Sequence, residues 1–167
     1  MTTPEQNPVT VDAENLPAEE DTSHELIEQE TKTSHLEQIE TVISSLEQDN
    51  TAMVRHTDEA HLWKFQYGSV EVFVQLTGES DNDTLTVWSP VLSLPATEEA
   101  KLMRKLLEMN WSETFESCFG IFNNQIVVLS NRTVAELSPG EISRAITLVA
   151  TIADDNDEAL QAEFGAA

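Results

Sequence analysis

The 167-residue sequence predicts an α+β fold in which helices pack on an antiparallel, curved sheet. Three observations carry this expectation. Apolar residues recur at helical spacing in three separate segments, they alternate in two groups of runs between those segments, and the turns inside each group are too short for parallel crossovers. The element order reads α, three β, α, two β, α.

Ser34 with Glu37 three residues on is a capping-box signal, and Leu36, Ile39, Val42, Ile43 and Leu46 follow at helical spacing as far as Asp49-Asn50. TAMVRH (51 to 56) comes next, its assignment open between strand and loop. WKFQY places Trp63, Phe65 and Tyr67 on one face of a strand, and Gly68 allows a turn into SVEVFVQLT, where Val70, Val72, Val74 and Leu76 share a face. Beyond the polar loop GESDND, TLTVWSPVL reads as the third strand. Pro90 is expected to end it or to place it at an edge, because proline donates no ladder hydrogen bond.

Pro95 and Thr97 introduce the second helix, EEAKLMRKLLEMN, with Glu98 and Glu99 at the positive end of its dipole and an apolar stripe of Leu102, Met103, Leu106 and Leu107. FGIFNNQIVVLSNR (119 to 132) is then a hairpin, since Asn tolerates the positive φ of a tight turn. The final helix opens on the capping box Ser138-Pro139-Gly140-Glu141, with proline at its first position. Ile142, Ala145, Ile146, Val149, Ile152 and Ala153 carry it to about Asp155, with fraying expected over DDNDE (154 to 158).

Three regions are therefore expected: an acidic disordered tail over 1–33, a folded domain over 34–157 and a frayed end over 158–167. The tail carries nine acidic residues, one lysine and no aromatic, too little apolar surface to offset the entropy of ordering. Within it TSHELIEQET (22 to 31) nearly repeats as TSHLEQIET (33 to 41).

Charge narrows the partners. With 8 Lys+Arg against 31 Asp+Glu, a formal net charge of -23 repels nucleic-acid phosphates and anionic headgroups, so neither nucleic acid nor membrane is expected. MTTPEQNPV lacks the basic and apolar regions of a signal peptide, AITLVATIA is too short to span a bilayer, and the single Cys118 suits a reducing compartment; the expected location is the cytoplasm.

Candidate chemistry is sparse. Cys118 has no adjacent base or positive group to lower its pKa, so packing is the expected role. His56 and His61 bracket HTDEAH and, with Asp58 and Glu59, offer four possible metal ligands, but the spacing matches no metal motif and reads as a solvated turn. Glu79, Asp81, Asn82 and Asp83 offer oxygens without the glycine and distal glutamate of a calcium loop. No glycine loop cradles phosphate. Neither enzyme activity nor a cofactor or metal is expected.

Binding signals are clearer. Ile126, Val127, Val128 and Leu129 are consecutive apolar residues on one strand, so they point to both faces of the sheet and the second face needs a cover. Lys101, Arg104 and Lys105 form the only basic cluster, read either as the wet face of the helix, with an Arg104–Glu108 pair, or as a patch that orients a partner.

The run VLSLPATEEAKLMRKLLEMN, then FGIFNNQIVVLSNR and the helix start ELSPGEISRAI, resembles the YbjN family and the related type III secretion chaperones over about residues 35 to 157. The resemblance implies an α-β-β-β-α-β-β-α fold of the secretion-chaperone kind, in proteins that are commonly small, acidic and dimeric. It also implies a non-enzymatic, chaperone-like or regulatory role, holding client segments on apolar surface or, as the alternative, adapting one folded partner. The acidic tail departs from the chaperone pattern, and no export role is carried over. Three helices on one side of a five-stranded sheet leave the other side open. A homodimer is expected, with Leu102, Met103, Leu106, Leu107, Phe122, Ile126, Val127, Val128 and Leu129 as contact candidates and remaining apolar surface offered to protein or peptide clients.

Overall fold

The computed structural model describes residues 34–48, 50–57 and 60–166. The expectations for the tail over 1–33 and its near-repeat, and the positions of Asp49, Asp58 and Glu59, lie outside the described residues.

Helix α1 (His35–Leu46) opens as the sequence predicts, with the Ser34 side chain accepting the Glu37 N–H at 3.3 Å. Strands β1 (Met53–His56), β2 (His61–Tyr67), β3 (Val70–Leu76) and β4 (Thr84–Ser93) follow, then α2 (Glu99–Ser112), β5 (Cys118–Phe122), β6 (Gln125–Thr133) and α3 (Pro139–Phe164). All strand pairs are antiparallel, in the order β1-β2-β3-β4-β6-β5. The α+β architecture is thus as expected, with one strand more than the five counted from the sequence. The extra strand, β1, is exposed at every residue and, among the described residues, pairs with β2 alone. Alternation arises from covering one face, and nothing among the described residues covers β1.

The two hairpins have the geometry their residues dictate. Gly68 takes φ +51° in the turn joining Tyr67 to Val70, and Asn123 and Asn124 take φ 48° and 60° between β5 and β6. Pro90 behaves differently from one half of the expectation. It does not end β4, which runs on to Ser93 through an irregularity between Pro90 and Leu92. Proline is tolerated because β4 has already left β3: that ladder stops at Phe73↔Trp88, and from there β4 pairs only with β6. Locally, Pro90 does sit on an edge.

One sheet face is covered. Trp63, Phe65, Val72, Val74, Leu76, Leu85, Val87, Ile126 and Val128 point into a core closed by α3, which lies across β3, β4 and β6, with α1 packed against it through Ile39 and Ile43. The α3 capping box is complete, and Arg132 of β6 also binds its Glu141.

Two boundaries depart from the sequence reading. Thr97 does not cap α2; Glu98 does, in the left-handed region at φ 49° with no side-chain cap bond, while the Thr97 N–H donates to the Phe164 carbonyl at 2.8 Å. Helix α3 does not fray after Asp155 but continues to Phe164. Leu160 and Phe164 are fully buried, and the expected frayed stretch is anchored because Ser69 donates to both Asp154 and Asp157.

Candidate protein-binding surface

Helix α2 carries two apolar stripes rather than one. Leu102, Leu106 and Met109, spaced four and three apart, face inward and are buried. Met103, Leu107 and Trp111, spaced four and four, run along the neighbouring side: Met103 is half-buried, Leu107 is 70% exposed and Trp111 is 93% exposed. Phe115, just past the helix, is 76% exposed. A tryptophan this open is unusual on a protein without a partner, and here it ends an apolar strip that borders a shallow groove with Ala100 and Ser112. Trp111 and Phe115 were absent from the sequence candidates. The signal was present in the spacing, since Trp111 lies four residues beyond Leu107.

The neighbouring edge strand is held by a side chain the sequence reading passed over. Asn110 accepts the Phe119 N–H at 2.6 Å and donates to the Phe119 carbonyl at 3.2 Å, pairing with the outer edge of β5 as a strand residue would. This tie leaves Ile121 and Phe122, one turn of the pleat further along, exposed.

The sheet face without helices is not bare. Phe73 stacks on Trp88 at 5.2 Å between ring centroids, and Trp88 meets Phe122 edge-on at 5.8 Å, so three aromatic rings cross from β3 to β5. Lys64 lies over Phe73 at 5.7 Å and pairs with Glu71. On β6 the outward residues are Val127 and Leu129. Val127 sits opposite Pro90 and Gly120 and is buried, and Leu129 leans over Gly120, where an added Cβ would meet its Cδ2 at 2.8 Å.

The proposed contact residues therefore separate. Leu102, Leu106, Ile126, Val127 and Val128 are buried by the chain itself and offer a partner nothing; three of the four residues of the apolar run, Ile126 to Val128, are covered from within. This corrects their place among the contact candidates. Met103 and Leu129 are half-buried, while Leu107 and Phe122 are open. The basic cluster is engaged rather than free. Lys101 and Lys105 bind Glu163 of α3 at 3.1 and 2.6 Å and both lie over the Phe164 ring, and Arg104 pairs with Glu108 at 2.9 Å.

Candidate chemistry stays dispersed. Burial pushes the Cys118 thiol up, away from the thiolate that a nucleophile requires. His56 and His61 approach each other through Nδ1 at 2.6 Å across the β1–β2 end. Asp83 closes its own loop, accepting from Ser80 and Thr77, and the Ser80 side chain and backbone bonds hold its carboxyl below the usual range. Among the described residues, no group of three or more His, Cys, Asp or Glu is placed to hold a metal ion, and no helix is long and apolar enough to cross a membrane.

Fold and surface define a small α+β domain, with helices on one face of an antiparallel sheet and unpaired apolar residues along its second helix. The chain belongs to the YbjN family, described as "Putative bacterial sensory transduction regulator", whose model matches residues 35–162. Among solved structures, a chain of the ExsC-ExsE complex crystal structure is similar at a TM-score of 0.44 and 16% sequence identity, covering 68% of this chain and 79% of that one. No curated protein matches the chain.

Proposed function

We propose that this chain is a non-catalytic, protein-binding module that pairs with a second copy through the α2 strip and holds client segments on its remaining apolar surface in a chaperone-like manner. The observation that carries the reading is the strip Met103–Leu107–Trp111, which follows one side of α2 and bears the most exposed tryptophan of the described residues. Burying a leucine or an aromatic side chain contributes roughly 1.5 to 3 kcal/mol, so docking on this strip gains at two or three positions at once. The second reading, an adaptor that binds one folded partner, is favoured by the family description as a regulator.

Capture from native extract with the full chain and its Trp111→Asp variant, at low and high salt, tests the proposal. Diverse partners with apolar segments, retained at high salt, support the chaperone-like reading. One dominant folded partner released by salt supports the adaptor. Identical capture by the variant and the unaltered chain overturns the role of the strip.

A further inference from the structure

Where β4 leaves β3, a notch opens through the sheet. Its cavity, of about 400 Å³, is walled on the open side by the rings of Phe73, Trp88 and Phe122 and reaches through to Asp157 and Gln161 of α3. We infer that this notch binds the guanidinium of an arginine side chain from a protein partner, a step that rests on the protein-binding reading above and names the partner's chemistry.

Asp157 lines the notch. It is only 4% exposed, and a buried carboxylate requires compensation by hydrogen bonds or an opposite charge. Its compensation is thin: the Ser69 hydroxyl, with one proton, has both Asp157 oxygens in range at 3.0 and 2.9 Å and Asp154 Oδ1 at 2.9 Å. Asp154 also accepts the Ser69 N–H at 2.7 Å, which leaves Asp157 the poorer of the two. Among the described residues, no lysine, arginine or histidine forms an ion pair with either carboxylate.

The walls select the cation. Aromatic faces attract a cation through their quadrupole, and a planar guanidinium also stacks on them while its fork of donors meets a carboxylate in two bonds. Gln161, already donating to the Val91 carbonyl at 3.2 Å, keeps its own amide oxygen as a further acceptor beside the carboxylate. The same aromatic row holds a cation at its other flank, where Lys64 lies over Phe73. That lysine pairs with Glu71, the other carboxylate lining the notch, which leaves Asp157 as the one lining carboxylate outside the ion pairs of the described residues. A chain of net charge -23 also draws basic segments toward it over distance.

The test is titration of the isotope-labelled full chain with N-acetylarginine amide and, separately, with N-acetylcitrulline amide, its uncharged near-isostere, read by amide and indole chemical shifts. The expected result is saturable shifts at Ser69, Phe73 and the Trp88 indole with the arginine compound only. Asp157→Asn is expected to weaken binding at least about tenfold. If that variant fails to fold, Trp88→Leu serves instead, with the same expected loss. Equal shifts from both compounds, no shifts from arginine, or undiminished binding by either folded variant overturn the inference. Sedimentation of the same samples separates it from the α2 reading: arginine binding by a monomer leaves the notch standing and removes the dimer, and a dimer that ignores arginine does the reverse.

Discussion

Glu163 joins the last turn of α3 to α2, because its carboxylate receives both Lys105 and Lys101. The Lys105 bond, followed by the Lys101 bond, holds the Glu163 carboxyl below the usual carboxylate range, and the Glu163 bond, with Glu98 nearby, raises Lys101 above its usual value. The signs follow from linkage. A lowered acid stabilises the fold above its unfolded pKa and loses that contribution as pH falls through its folded pKa; a raised lysine contributes below its unfolded pKa and is lost as pH rises through its folded one. Glu163→Gln is therefore expected to lower the thermal midpoint near neutral pH, with the difference from the unaltered chain shrinking toward acid pH, as thermal melts over a pH series will record. Cys118 tests the opposite kind of environment. Its raised pKa and partial burial predict slow reaction with a thiol reagent in the folded chain and a rate close to that of a free thiol once the chain is unfolded.

Helix α3 shows how far the sequence reaches at the level of elements. Its start was legible, because Ser138, Pro139 and Glu141 satisfy and pre-shape the first turn locally. Its end was not, because DDNDE is unfavourable by local dipole rules and is held by Ser69, which is distant in sequence and adjacent in space. Phe164, fully buried beneath two lysine ammonium groups, closes the helix against α2, and Phe164→Ala is expected to cost about 3 to 5 kcal/mol in chemical denaturation. The hairpins were legible from Gly68 and Asn123-Asn124, whereas β1 was not, since an uncovered strand leaves no alternation to read. The surface divided in the same way. Leu107 and Phe122 are exposed, whereas in the apolar run Ile126 to Leu129, whose second face needs a cover by sequence, cross-strand neighbours and α3 cover Ile126 to Val128. Asn110 was passed over because an amide pairing with a strand edge has no sequence pattern. Asn110→Ala is expected to cost about 1 to 3 kcal/mol by leaving the Phe119 backbone without its partner, with faster hydrogen exchange at the Phe119 amide as the local readout.

For the whole molecule, the question is whether apolar contact on α2 outweighs charge. Two chains of formal charge -23 repel each other, but screening over about 8 Å at physiological salt confines the penalty to nearby groups. Beside the strip itself Arg104 moderates it further by neutralising Glu108. A specific pair buries on the order of 800 Å² per partner, and Met103, Leu107, Trp111 and Phe115 supply an apolar centre for such a contact. Pairing through α2 is read most directly by sedimentation velocity of the full chain at micromolar concentration, in low and high salt, beside its Leu107→Asp variant. Leu107 is exposed in the single chain, so aspartate there leaves the fold intact and is costly only where a partner removes water. The expected result is a dimer, strengthened by salt, and a folded monomer for the variant; a monomer for the unaltered chain in both salts, or a dimer that Leu107→Asp does not disturb, rules out pairing through the α2 strip.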